Sequence, residues 1–305
     1  MHIRDVFNRQ KTTFSFEFFP PKSAEGADRL FKSISELERL EPAFVSVTYG
    51  AGGATRDLTN DLVVRINKET SLDAMPHLTC VCHSRDEIQR LLERYAAQGI
   101  SNILALRGDP PADNPDHRHE DDDYRFAAQL VGAIRRFNEL GTHPNGKGFG
   151  IGVAGFPAGH PATPNRLDEM DHLRAKVDAG ADFIITQLFF DNASFLDFRD
   201  RCRFCGIDIP IIAGIMPLTS LSGMRRMAQL ALGTHFPARL LRALDRTDGT
   251  PESIRRVGVH WATEQCVDLL DHGVDGIHFY TLNQSTATRE IYATLGVQSS
   301  SQLSS

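Results

Sequence analysis

Glu17 is the residue whose setting points most directly to chemistry. It stands in TFSFEFFPPK (residues 13–22), where Thr13 to Phe19 reads as a strand of β-branched and aromatic residues closed by Pro20-Pro21, which cannot continue a ladder. Alternation along a strand puts Phe14, Phe16 and Phe18 on one face and Ser15, Glu17 and Phe19 on the other. A carboxylate set among phenylalanines is desolvated, which disfavours its charged form and raises its pKa. An acid kept partly protonated near neutral pH can act as a general acid. The alternative is an edge-strand glutamate on a wet face, since carboxylates are rare inside and common at rims.

Other polar residues end apolar runs in the same way: Thr48 and Tyr49, His77, Arg107 and Asp109, Ala154 and Phe156, Gln187, Tyr280, and the turn Asn283-Gln284. Each alone could be a satisfied structural group, so the signal lies in whether one rim collects them. Gly50-Ala51-Gly52-Gly53 lets backbone N–H groups approach an anion such as phosphate, or simply makes a tight turn. Arg107 and Asp109 flank a glycine; a fixed Arg suits pyrophosphate, and a nearby carboxylate tunes a ligand's electronics. Lys176 can reach a phosphate or sit on a solvated helix face. Metal readings are poor: Cys202-x-x-Cys205 is a single pair inside a helix, Asp116 to Asp121 reads as a solvated loop, and Cys80 and Cys82 carry no clear signal. No metal site is expected.

The elements that must position these residues alternate. Strands are predicted at 13–19, 43–49, 75–81, 101–106, 149–154, 182–188, 209–215 and 276–282. Helical stripes lie between nearly all of them, for example Leu30, Ile34, Leu37 and Leu40. Alternation implies parallel strands with crossover helices, and eight units in about 280 residues is the size of an α/β (β/α)8 TIM barrel. Its active site lies at the C-terminal ends of the strands, which is where the polar residues fall. One domain over 1–297 is expected, with extra helices between 218 and 272 before strand eight and a disordered tail at 298–305. Residues 1–12 read as a polar lead-in of about one helical turn. An open doubly wound sheet is disfavoured, since no Gly-x-Gly-x-x-Gly follows the first strand.

Net charge is −6 with no basic run, which argues against nucleic acid and anionic membrane surfaces. No apolar run approaches about 18 residues, so no membrane span is expected. The N-terminus lacks an apolar signal region, and five cysteines, an odd number, do not build a disulfide framework. A reducing cytoplasm is expected.

FSFEFFPPK (14–22), VSVTYGAGG (45–53), PHLTC (76–80), ILALRGDPP (103–111), GVAGFPAGHP (152–161), KVDAGADFIITQLFFD (176–191) and HFYTLN (278–283) together resemble the methylenetetrahydrofolate reductases. The resemblance runs from about Phe14 to Val297, at the length of the short bacterial forms. It implies a (β/α)8 barrel with non-covalent FAD that reduces 5,10-methylenetetrahydrofolate to 5-methyltetrahydrofolate, for methionine synthesis, with NADH or NADPH as hydride donor. Glu17 then matches the general acid for the folate's bridging nitrogen, and Asp109 the carboxylate beside the flavin's pyrimidine edge. Thr48, Tyr49, Ala51, His77, Arg107, Gly108, His160 and Lys176 match FAD contacts, with Tyr124 near the adenosine end and Ala154 beside them. Gln187 matches a folate contact. Phe156 stands where a Tyr often occurs, Glu169 near a frequent Asp, and Gln284 where a basic residue can meet the folate tail. Gly223 and Met227 take places expected for a Gln and a Phe or Leu touching substrate, and Met can still give an apolar platform. The family suggests a homo-oligomer. The competing readings are a flavin-free lyase or isomerase holding a phosphorylated substrate at Gly50–Gly53, and a non-catalytic ligand-binding barrel.

Overall fold

Strands of a parallel sheet are covered on both faces and read as near-continuous apolar runs. Eight such runs do so here: β1 (Thr13–Phe18), β2 (Phe44–Val47), β3 (Ala74–Thr79), β4 (Asn102–Leu106), β5 (Gly150–Gly155), β6 (Phe183–Thr186), β7 (Ile211–Ile215) and β8 (Gly276–Tyr280). In a computed structural model that describes residues 1–51, 55–111, 113–114, 116–160, 162–163, 165–231 and 234–304, they pair in parallel in chain order. β8 returns to β1, with Phe14 opposite Ile277 and Glu17 opposite Tyr280, and closes the barrel. The TIM-barrel expectation holds.

The helices are α1 (Ile3–Arg9), α2 (Ala24–Glu38), α3 (Arg56–Glu69), α4 (Arg85–Ala97), α5 (Ala127–Glu139), α6 (Arg166–Asp178), α7 (Asn192–Phe204), α8 (Leu221–Leu230), α9 (Ala238–Asp245), α10 (Pro251–Asp271) and α11 (Thr286–Thr294). Their ends follow local chemistry. Ser23 caps α2, whose stripe Leu30, Ile34 and Leu37 is buried, and Ser84 with Glu87 forms a capping box on α4. α8, α9 and α10 are the decoration before β8, and they pack on a separate apolar cluster around Leu188, Phe190, Met216 and Leu240.

The pleat divides the barrel residues as the alternation predicted. Phe14, Phe16 and Phe18 join the large core under the surrounding helices. The lower interior is filled by Phe44, Met75, Leu104, Phe183, Ile185 and Ile212. Gly152 makes room for this filling, since a Cβ there would stand 2.5 Å from Phe183 Cζ.

Two expectations about the termini are corrected. The lead-in is not one polar turn: α1 runs seven residues, and its Ile3 and Val6 plug the bottom of the barrel. The tail is not disordered through Ser304. A 3-10 turn at Ser300–Gln302 docks on the barrel, where Ser300 donates to the Leu40 carbonyl oxygen at 2.7 Å and meets the Tyr292 hydroxyl at 2.9 Å. In both places a few polar or apolar anchors inside a hydrophilic stretch outweigh its composition. Strands also end earlier at the mouth than the apolar runs suggest, because Tyr49, Leu188 and Leu282 leave the ladder for the loops.

Acidic residues just before strands fasten neighbouring strands. Asp182 accepts from the Ile151 N–H at 2.7 Å, from Arg4 Nε at 2.6 Å and pairs with Arg135 Nη2 at 2.8 Å, tying α1 and α5 to β5. Asp275 accepts from the Ile211 N–H at 2.8 Å in the same way. Asp182→Ala leaves a buried N–H unpaired, and urea unfolding should show a loss of about 2–3 kcal/mol.

Candidate active site

Above the apolar filling, the barrel interior turns polar. Ser15 and Glu17 of β1, Ser46 of β2, His77 of β3 and His278 of β8 occupy the upper layer. His278 is fully buried, with Nδ1 2.7 Å from Ser15 Oγ and Nε2 3.4 Å from Ser46 Oγ. Glu17 Oε2 lies 3.5 Å from His77 Nε2 and 3.7 Å from His278 Nε2, and its side chain keeps 17% exposure toward the mouth. Close approach of Glu17 to His77 is not an ion pair at neutral pH. Burial, opposed by the Glu17 charge, pushes the His77 imidazole down to about 4, so the ring is neutral. His77 Nε2 and Thr79 Oγ1 on the same strand are buried with no hydrogen-bond partner among the described residues. Tyr280 covers the layer from β8, donating to the Thr186 carbonyl oxygen at 2.9 Å, and burial holds its hydroxyl well above the ordinary range.

Cations gather on the β4–β5 side of the rim. Arg107 follows β4 directly, and its guanidinium has no hydrogen bond or ion pair among the described residues. Gly108, at φ 89°, packs so closely on β3 that a Cβ would stand 2.6 Å from Val81 Cγ1. Asp109 is exposed, three residues past β4 and therefore at the same end of the barrel as Glu17. Lys176 of α6 is only partly covered as a residue, but its Nζ donates to the Ala154 carbonyl oxygen at 2.5 Å. Burial pushes that ammonium down to about 8, against the pull of Glu169. Glu169 is buried, and burial raises its carboxyl; the His160 N–H nearby opposes this without forming an aligned hydrogen bond. Burial and then Arg107 lower the His160 imidazole, whose ring meets Phe156 edge-on at 4.7 Å. A rim with two cations and buried polar atoms lacking partners can hold an anionic, flat polar ligand.

The remaining predicted residues are spread wider. Thr48 follows β2 and bonds the Phe18 carbonyl oxygen, while the Tyr49 hydroxyl turns to His83 Nε2 at 3.0 Å. Ala51 is exposed, and Gly52 and Gly53 of the proposed phosphate loop lie outside the described residues. Gln187 follows β6 and receives the Leu188 N–H on its side-chain oxygen, which leaves its NH2 free to donate. Gln284 is exposed beyond β8. Met227 is buried in the α8–α10 apolar cluster, and Gly223 serves the Ser220 cap of α8. Tyr124 is buried beneath Arg85 at 5.7 Å, beside the start of α4. Two surface concavities, one at Arg256, His260 and Glu290 and one at Arg85, Tyr124 and Arg136, lie off the barrel axis; the second adjoins Tyr124. Sequence reasoning missed Ser15, Ser46 and His278. Their signal was present in the alternation of β1 and β8, where Ser15 and His278 share the inward face with Glu17 and Tyr280.

The family model described as methylenetetrahydrofolate reductase matches residues 2–296. Methylenetetrahydrofolate reductase (NADH) 1 of Arabidopsis thaliana is 39% identical over 311 residues, covering 99% of this chain and 51% of that protein, so the chain spans about half the length of the plant relatives. The 5,10-methylenetetrahydrofolate reductase of Escherichia coli (strain K12) is 38% identical over 302 residues, covering 97% of this chain and 96% of that one. Among solved structures, an uncharacterized Clostridium thermocellum protein that binds two copies of 5-methyl-5,6,7,8-tetrahydrofolic acid superposes with a TM-score of 0.68 at 15% identity, over 95% of this chain and 96% of that one; it shares the fold. With a match over nearly its whole length and with bacterial relatives covered almost end to end, the chain belongs to the methylenetetrahydrofolate reductase family.

Proposed function

We propose that this chain reduces 5,10-methylenetetrahydrofolate to 5-methyltetrahydrofolate, with NADH or NADPH as hydride donor and non-covalently bound FAD as carrier. The observation that carries this reading is the Glu17 carboxylate inside the barrel mouth, in reach of solvent and beside imidazoles that do not bond it. The residues present fit FAD. Its pyrophosphate needs cations, which Arg107 and Lys176 offer. Its ring edge needs buried polar partners, and His77 Nε2 and Thr79 Oγ1 lack any among the described residues. Thr48, Tyr49, Ala51, Gly108, Ala154, Phe156, His160 and Glu169 are the further residues this reading assigns to FAD, with Tyr124 toward an adenosine end. When bound, FAD would supply the two-electron hydride-carrier chemistry that links nicotinamide oxidation to folate reduction.

The protein's own part is protonic and electrostatic. Glu17 holds a proton at the mouth and gives it to the folate's bridging nitrogen, which opens the ring to an iminium. His77 is neutral, so no fixed imidazolium faces the Glu17 carboxyl from β3. Asp109 sets negative charge where positive charge develops on the folate. The free NH2 of Gln187 and the exposed Gln284 offer donors along the substrate. Met227 supports this side from within its apolar cluster.

Anaerobic titration of the FAD-loaded protein with NADH and with NADPH should bleach the flavin band and reveal the preferred donor; a protein that retains no FAD and binds none when it is added overturns the reading. Glu17→Gln should leave bleaching by nicotinamide within about twofold while slowing reoxidation by the folate by roughly 10²–10⁴-fold, the usual worth of a general acid. Equal loss in both half-reactions removes Glu17 from the acid role. Lys176 sets a pH signature. It is protonated in the free protein below about 8, so FAD dissociation constants should be flat there and rise by up to about tenfold per pH unit above it. Lys176→Met should weaken FAD and abolish that rise.

A further inference from the structure

We propose that Cys82, His117 and Asp122 form a zinc-class metal site that fastens the loop between β4 and α5 to the turn between β3 and α4. Cys82 and His117 are 35 residues apart in the chain, and His117 and Asp122 are 5 apart. One donor atom of each lies within 4.8 Å of the other two. Cys82 Sγ is 3.7 Å from His117 Nε2, and that nitrogen is 2.9 Å from Asp122 Oδ1. A tetrahedral zinc with Zn–S of about 2.3 Å and Zn–N and Zn–O of about 2.0–2.1 Å separates sulfur from nitrogen by about 3.6 Å and nitrogen from oxygen by about 3.3 Å. The sulfur–nitrogen and nitrogen–oxygen separations stand within about 0.4 Å of those values, and no pair of the three donors is more than 4.8 Å apart.

Hydrogen bonds already draw the three groups together, since Asp122 Oδ1 accepts from both His117 Nε2 and the Cys82 N–H. A single ring nitrogen has one proton or one lone pair to offer. Here His117 Nε2 faces a sulfur and a carboxylate oxygen together, and that oxygen also accepts from the Cys82 N–H at 2.9 Å. A cation would bond all three donors at one centre, whereas the one ring proton can serve only one of the two acceptors it faces. The outer support of such a centre is present too: His119 Nδ1 holds the other carboxylate oxygen of Asp122 at 3.1 Å. Asp122 is nearly inaccessible, with its side chain 3% exposed, whereas Cys82 is exposed and gives an ion its entry path. Thiolate, imidazole and carboxylate together favour zinc over magnesium or calcium, which take oxygen sets. Binding forms the metal–sulfur bond and releases the Cys82 thiol proton to solvent. Three protein donors leave the fourth tetrahedral position to water. Asp123 receives the Arg85 N–H at 2.9 Å, so the ion would complete the clamp of residues 122–124 on the start of α4.

The test uses the untagged full-length protein, stripped by a chelator and titrated anaerobically with Co2+, read as a difference spectrum against any flavin. The expected result is a thiolate-to-cobalt charge-transfer band that saturates at one ion per chain and is displaced by one equivalent of Zn2+. Cys82→Ser should lose the band, Cys205→Ser should keep it, and His119→Ala should weaken Zn2+ binding by roughly 10–100-fold. Should Cys82→Ser fail to fold, Zn2+ should still slow proteolytic cleavage of the wild-type loop before Tyr124 at least tenfold. No band in the wild type, a band that survives in Cys82→Ser, or cleavage unaffected by Zn2+ overturns the proposal.

Discussion

A carboxylate inside a barrel must remain close enough to water to exchange its proton and far enough from it to feel its surroundings. Glu17 meets that constraint because the lower barrel is dry and the upper barrel is polar. α1 closes the apolar part from below: Ile3 and Val6 join the cluster of Phe44, Phe183 and Ile212. The polar layer therefore rests on an apolar, low-dielectric floor.

The same logic of opposed environments runs along the rim. Lys176 and Glu169 are both desolvated, so each is moved toward its neutral form, and each draws the other back. A pair balanced in this way is a poor structural ion pair, since burial takes from it what attraction supplies. It is better suited to a site that meets a charged ligand, where an added anion would favour the ammonium. Arg107 needs no such tuning, because a guanidinium stays charged in any setting.

Much of this was legible in the residues. Strand-helix alternation gave eight parallel strands, and period-two alternation put Glu17 opposite Phe14, Phe16 and Phe18. Polar residues ending apolar runs marked the mouth. What escaped had physical reasons. Ile3, Val6 and Ser300 are isolated anchors in polar stretches, and a composition average dilutes them. His278 sits within HFYTLN as one polar residue in an aromatic run; its meaning depends on the β1–β8 register, which only closure of the barrel fixes. Met227 is buried in the apolar cluster that the three helices before β8 fold, a setting its place in the chain did not reveal.

The loop before Tyr124 shows where local reading stops. Asp116 to Asp121 has no metal-ligand spacing of its own, and Cys82 has none either, because the spacing that matters is spatial. In a (β/α)8 barrel, loops following adjacent strands lie side by side at one rim, so β3 and β4 deliver residues far apart in sequence to one place. Cys82 is carried there at φ 58°, a conformation that costs a non-glycine residue free energy and is kept only where surroundings over-determine it. Its backbone N–H on Asp122 is one such determinant. The geometry that fixes the thiol is therefore supplied by the carboxylate that would share the ion with it, which makes fold and donor set a single arrangement.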